Sequence, residues 1–161
     1  MEVIYIKTPI GVLSIFFDEE LKLIKIAKTE KLVTMKIKSH SDSVRKLIDF
    51  FNDYFLGKPS EFDYPIKLDN ISTFNRKVLE CIKQIPFGQT VSYKWAAEQL
   101  GTLPRVVGQA LKRNPLPIVI PCHRVIKSDG KLGGYLLGVE SKKWLIEHEK
   151  SILYKLQLHK T

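Results

Sequence analysis

The spacing of apolar residues along this chain changes once, and that change dictates its architecture. At the start, EVIYIKT and VLSIFF flank the turn-prone Pro9-Ile10-Gly11, and LKLIKIA follows Asp18-Glu19-Glu20, which predicts a short antiparallel meander. From Ser43 onward the step lengthens to three and four residues. Val44, Leu47, Ile48, Phe51, Tyr54 and Phe55 recur until Gly57 and Pro59 break the pattern, predicting an amphipathic helix packed on the sheet. Aromatic residues at this spacing serve a core far more often than a ligand.

Residues 58–72, KPSEFDYPIKLDNIS, hold two prolines and little periodicity, as a linker between subdomains would. Beyond it Phe74, Val78, Ile82 and Ile85 mark a second helix face, with Ser72 or Thr73 as its cap and Pro86-Phe87-Gly88 as its stop. Cys81 lies beside this face and reads as a half-buried, inert thiol. The expected class is α/β (α+β). A small N-terminal antiparallel sheet with a helix, residues 1–70, joins a mainly helical, winged-helix-like C-terminal domain, residues 71–161, that contains a helix-turn-helix.

Charge divides the chain at the same place. Residues 1–70 carry 11 Lys/Arg and 11 Asp/Glu, whereas residues 71–161 carry 15 and 6, so the excess of +9 belongs to the second part. Such asymmetry suits a polyanion partner. A lysine-rich surface that is merely solvated accounts for the same numbers, and charge alone does not separate the two. No stretch reaches the roughly 20 apolar residues that span a bilayer, and the start lacks the pattern of a secretory signal. With only two cysteines, too few for a secreted disulfide framework, the expectation is a cytoplasmic protein with no membrane partner.

SYKWAAEQL and PRVVGQALKRN are helical segments separated by Gly101-Thr102-Leu103, a connector of the length used in a helix-turn-helix. Ala97, four residues before Gly101, and Val107, six after it, supply the small and aliphatic side chains that allow close helix crossing. Arg105, Lys112 and Arg113 lie on or at the end of the second helix, in reach of phosphates. A purely structural helix pair remains the alternative.

Downstream, Asn114-Pro115-Leu116-Pro117 ends that helix, and Ile118-Val119-Ile120 reads as a buried strand leading into Pro121-Cys122-His123-Arg124-Val125. Beside His and Arg, Cys122 is expected to be poised as the thiolate, the form that attacks carbon. In an extended strand neighbours face opposite ways, so His123 reaches the thiol proton only through a turn or a water.

These segments resemble the O6-alkylguanine-DNA alkyltransferase family. Asn114-Pro115 followed by Pro121 through Val125 is similar to its signature. Pro86-Phe87-Gly88, Ser92-Tyr93, Arg105 through Gly108, Gly133-Gly134-Tyr135 and Trp144 through Glu149 follow in the family's order. The likeness is dense over residues 74–149 and loose over the N-terminal sheet.

The resemblance implies a protein that repairs double-stranded DNA containing O6-alkylguanine by taking the alkyl group irreversibly onto its own Cys122, once per molecule. It implies no cofactor, no metal and a monomer. Catalytic roles fall to Cys122 as acceptor, His123 as base through a water, Glu149 as the group orienting that imidazole, and Tyr93 as proton donor to the departing guanine. Arg105 fills the gap left by the flipped nucleotide. Gly108, Gln109, Lys112, Arg113 and Arg124 contact DNA. Asn114, Val125, Tyr135 and Leu136 build the substrate pocket, and the carbonyls of Cys122 and Val125 accept from the guanine amine. Read without the family, Glu149 is one more solvated helix carboxylate and Arg105 a plain phosphate contact.

Two departures from the family stand out. Leu136-Leu137-Gly138 occupies a position where serine and a glycine-rich turn are usual, and Val106 and Gln109 are bulkier than the small residues that line the recognition helix of relatives. Three rivals remain. A binding module without chemistry ignores Cys122, a helix-turn-helix regulator leaves the Pro-Cys-His-Arg-Val segment without a purpose, and a cysteine hydrolase does the same for the basic half.

Overall fold

A computed structural model describes residues 2–30 and 41–159, and the chain divides into two compact units, Met1–Asp69 and Asn70–Thr161. In the first, β1 (Glu2–Thr8), β2 (Gly11–Phe17) and β3 (Leu23–Thr29) form an antiparallel sheet in the order β1-β2-β3. Ile4 pairs with Ile15 and Ile6 with Leu13, and these residues, with Phe17, Leu23 and Ile26, are buried. α1 (Asp42–Phe55) starts at Ser41, whose side chain accepts from the Val44 amide, and buries Val44, Leu47, Phe51 and Tyr54. A hydroxyl at that position satisfies one of the amides a helix start leaves unpaired.

The segment after α1 is no free linker, contrary to its composition. Its backbone runs parallel to the start of β3: Leu23 N–H donates to the Pro65 carbonyl (2.9 Å) and Lys67 N–H to the Leu23 carbonyl (2.9 Å). Tyr64 is buried, its hydroxyl donating to the Leu21 carbonyl and its ring set edge-on to Phe17 at 6.0 Å. One aromatic anchor with two backbone bonds outweighs the local preference of a proline-containing segment for open chain.

The second unit is mainly helical. α2 (Thr73–Lys83), capped by Ser72, buries Val78, Leu79 and Ile82. Phe74, expected on the same face, is exposed. After the two-residue β4 (Val91–Ser92) come α3 (Tyr93–Leu100) and α4 (Pro104–Leu111). Ala96, Ala97, Val107, Ala110 and Leu111 are buried, and α2 packs against both helices. A 3-10 turn (Cys122–Arg124) leads into β5 (Val125–Ile126), and the long α5 (Val139–Leu158) closes the unit. β4 and β5 pair in parallel, Val91 opposite Val125 and Ser92 opposite Ile126. Short as it is, this pairing sets the first residue of α3, Tyr93, beside the turn that carries Cys122. Among the described residues no helix is long and apolar enough to cross a membrane.

The turn between α3 and α4 rests on Gly101, whose φ of 64° places it in the left-handed region and whose amide closes α3. An added Cβ there would meet nothing within 4 Å, so substitution carries a conformational cost alone. Gly101→Ala should lower stability by about 1 kcal/mol in urea unfolding, and Gly101→Asn by less, because asparagine tolerates this conformation better than other L-residues. Equal losses would show that something other than backbone conformation is at stake.

Candidate functional site

The segment from Asn114 to Arg124 is a chain of turns, and the strand expected at Ile118-Val119-Ile120 is not formed. Pro115, Pro117 and Pro121 remove the amides a ladder needs. Asn114, itself buried, organises what replaces it. Its Nδ2 donates to the Ile120 carbonyl (2.9 Å) while its Oδ1 accepts from Leu116 N–H (3.0 Å). Ile120 N–H donates to the Leu116 carbonyl (2.8 Å), and Cys122 N–H to the Ile120 carbonyl (2.8 Å). With φ −81° and ψ 63°, Pro121 forms the inverse γ-turn that this last bond closes. Ile118 is driven to φ 75°, a conformation costing a β-branched residue on the order of 1–3 kcal/mol, and the surrounding bonds hold it there.

This folding puts Cys122 on the wall of a cavity of about 670 Å³. Tyr93, Gly133, Tyr135 and Leu136 line it together with Arg105, Gly108, Gln109 and Lys112 of the α4 region. Lys94 and Lys127 join Arg105 and Lys112, so four cations and no carboxylate line it. Arg105, Gln109, Lys112 and Arg113 are exposed. Gly133 has φ 73°, and a Cβ there would stand 3.0 Å from the Tyr93 hydroxyl oxygen, so another residue would be strained and would press the phenol aside by a few tenths of an ångström.

Behind the cysteine, His123 Nε2 meets Glu149 Oε2 at 2.5 Å, both side chains fully buried. Gly88 N–H donates to Glu149 Oε1 (3.1 Å). Arg124, expected to contact DNA, turns inward instead. Its Nε donates to Glu149 Oε1 (2.7 Å), its Nη2 to Oε2 (3.2 Å) and its Nη1 to the Ile85 carbonyl (2.7 Å), leaving 12% of the side chain exposed. A buried carboxylate attracts the guanidinium more strongly than solvent-screened phosphates can.

Electrostatics revises the expectation of a resting thiolate. Burial pushes the Cys122 thiol up to about 11, although a hydrogen bond from Asn114 and the charge of Lys142 pull the other way. Burial likewise pushes His123 down, against the opposing pull of Glu149. Burial raises the Glu149 carboxyl, but hydrogen bonding and charge from His123 and then from Arg124 outweigh it and hold the group well below the usual carboxylate range. At neutral pH the site therefore holds a thiol, a neutral imidazole and a carboxylate. Since the carboxylate can only accept, the imidazole proton sits on Nε2 and Nδ1 offers a lone pair. Nδ1 is buried with no hydrogen-bond partner, as is the hydroxyl of Tyr135, whose ring lies edge-on to His123 at 6.3 Å.

Sequence reasoning missed Lys142. Fully buried, it donates from Nζ to the Val125 carbonyl (2.6 Å), the Gly134 carbonyl (3.2 Å) and the Tyr93 hydroxyl oxygen (3.3 Å). Burial lowers its pKa to about 8. The signal was its place two helical turns before Glu149, with Leu145 and Ile146 between, which sets all four on the inward face of α5. The Val125 carbonyl, expected to meet the guanine amine, already accepts from Lys142 and keeps one lone pair. Leu136, expected in the pocket, lines it, whereas its neighbour Leu137 is buried and absent from its wall. Cys81 is half-buried, and burial raises its thiol pKa.

Comparison with known proteins bears on this site. Residues 73–151 match the family model described as 6-O-methylguanine DNA methyltransferase, DNA binding domain. The methylated-DNA–protein-cysteine methyltransferase of Metallosphaera sedula is 39% identical over 137 residues, covering 84% of each chain. That of Methanocaldococcus vulcanius is 53% identical over 81 residues, half the length of each. Among solved structures, a Mycobacterium tuberculosis protein crystallised with DNA superposes with a TM-score of 0.79 at 32% identity, covering 94% of both chains.

Glu149→Gln should cost about 3 kcal/mol at neutral pH, because it strips the buried Arg124 guanidinium of its carboxylate. A carboxyl whose native pKa is depressed lends stability above its unfolded value, near 4.5, and loses it as the pH falls toward the native one. The deficit of the variant should therefore shrink progressively below about pH 4.5 in urea unfolding. An equal deficit at about pH 7 and pH 3 would mean that ionisation of Glu149 contributes nothing.

Proposed function

Because this chain belongs to the family of methylated-DNA–protein-cysteine methyltransferases, we propose that it reverses alkylation damage by drawing an O6-alkylguanine out of duplex DNA into the cavity and transferring the alkyl group to Cys122. The observation that carries this reading is the arrangement of a cavity-lining thiol beside a buried imidazole held by a buried carboxylate, under a rim of cations.

The chemistry follows from the resting state. A thiol at about 11 is a poor nucleophile, and a thiolate in that dry setting would be costly unless it formed only as the reaction began. Neutral His123, with Nδ1 open, takes the proton through a bridging water, and Glu149 stabilises the imidazolium that results. Sulfur attacks the alkyl carbon as the bond from that carbon to O6 breaks, the electron pair passing to the purine. Tyr93 supplies a proton to the departing base. The Lys142 ammonium bonded to the Tyr93 oxygen eases that release by stabilising the phenolate left behind. A thioether is the product. No group in the pocket reverses it, so each molecule reacts once.

The rest of the wall serves recognition. Extrusion is required because O6 inside the stack cannot reach a buried sulfur. Arg105, exposed on the rim at the start of α4, takes the place of the flipped nucleotide, while Lys112 and Arg113 contact phosphates. The Gly108 region of α4 gives close approach to the groove. Carbonyls of Cys122 and Val125 receive the guanine amine.

Cys122→Ser should gain no alkyl mass on incubation with methylated duplex DNA, whereas the parent gains one alkyl group at Cys122. Both should bind DNA with equal affinity, since α4 is unchanged. An alkyl group found on the serine variant, or on another residue of the parent, would overturn the assignment.

Leu136 adds apolar contact for large substituents. At roughly 25 cal/mol per Å², its contact with a benzyl ring amounts to about 1 kcal/mol, so Leu136→Ser should lower the benzyl-to-methyl rate ratio about fivefold. An unchanged or higher ratio, with both substrates tested on one preparation, would show that Leu136 obstructs entry or contributes nothing.

A further inference from the structure

We propose that Arg124 is a positioning residue of the proton relay: its inward guanidinium holds the Glu149 carboxylate in the orientation that presents one oxygen to His123 Nε2 and so leaves Nδ1 directed to the Cys122 proton. The inference rests on the alkyl-transfer reading above and assigns to this reaction a cation whose position in a basic domain suggests a phosphate contact.

Geometry carries it. Arg124 reaches both oxygens of Glu149, at 2.7 and 3.2 Å, and spends its remaining arm on the Ile85 carbonyl, at 2.7 Å. The guanidinium lies 5.7 Å from the centre of the Phe87 ring. A carboxylate at the end of three rotatable bonds has no preferred plane of its own. A planar fork that is anchored to backbone gives it one. With Arg124 on one side and Gly88 N–H on the other, Oε2 is left facing Nε2. A phosphate contact would need the opposite conformation, with the head in solvent as it is for Arg105 and Lys112.

Several groups set the proton affinity of His123. Glu149 and Lys142 face it from α5, Arg124 and Cys122 flank it in its own turn, and Tyr135 lies against its ring. Glu149 favours a proton on the imidazole, whereas Arg124 and Lys142 oppose one. Removing Arg124 therefore lets His123 hold a proton at higher pH, and it also lets Glu149 protonate sooner. Both effects displace the acid limb of the transfer rate toward higher pH.

The test is single-turnover transfer from methylated duplex DNA as a function of pH for the parent, Arg124→Gln and Arg124→Lys, with DNA affinity measured separately in the Cys122→Ser background. Arg124→Gln should slow transfer on the order of tenfold to a hundredfold and shift the acid limb upward, leaving affinity and its salt dependence unchanged. Arg124→Lys keeps the charge and loses the fork, so it should return the limb toward its native place while the plateau rate stays low. A slower rate with the limb unmoved would make Arg124 a merely structural residue and overturn the proposal. So would a native rate combined with weaker DNA binding and a salt slope shallower by about one, the mark of a phosphate contact. Should Arg124→Gln fail to fold, Arg124→Lys decides alone: a low plateau with the acid limb raised in part, at native affinity, sustains the proposal, and a native plateau or a low plateau with the limb unmoved overturns it. A parent protein that transfers nothing would overturn the reaction itself, whereas transfer by the parent with indistinguishable Arg124 variants would overturn only this inference.

Discussion

The C-terminal unit is organised around one buried carboxylate. Glu149 is 1% exposed, and such a charge is tolerable only where donors replace the water it has lost. Among the described residues donors come from two places besides α5 itself: the turn after α2 through Gly88, and the turn at Cys122 through both His123 and Arg124, the latter tying on to Ile85. One ionised group thus joins three segments far apart in sequence. Its negative charge also fixes the tautomer of the imidazole, so the interaction that holds the segments together decides which nitrogen is basic.

Around this centre the site separates two demands that oppose each other. A nucleophile should be anionic, and a pocket for a nucleobase with an apolar substituent should be dry. Burial wins at rest, keeping Cys122 a thiol and His123 neutral. Lys142 shows the same effect of burial in a cation, beneath the residues that line the cavity. Its ammonium, depressed to about 8 by the same burial, is held by two carbonyls and directed at the Tyr93 oxygen. One physical cause, burial, thus depresses a cation and raises a thiol within the same unit.

What could be read from the amino acids follows the range over which each feature is decided. Strands, helices and caps are local, and Ser41, Ser72, Ser92 and Gly101 mark boundaries where side-chain chemistry or backbone freedom acts within a few residues. Ile118-Val119-Ile120 has the composition of a strand, but Asn114 and three prolines override it, and its hydrophobicity reports burial without reporting conformation. Tyr64 turns a proline-containing stretch into packed structure for a similar reason. Charge proved legible in sum and not in direction. Arg105 and Lys112 face outward, while Arg124 and Lys142 face inward, and only the distant Glu149, Ile85 and Val125 decide which.

The sulfur itself is peripheral to this framework. Asn114 sets the turn through the Ile120 carbonyl and the Leu116 amide, and His123 and Arg124 are anchored at Glu149, so among the described residues no bond of the scaffold passes through the Cys122 side chain except its contact with Asn114. Chemistry and architecture are thereby inherited separately. Exchange of this one atom leaves every other bond of the turn in place, whereas exchange of the carboxylate deprives His123, Arg124 and Gly88 of their common acceptor. A change at the sulfur therefore alters reactivity at little structural cost, and a change at the carboxylate alters both.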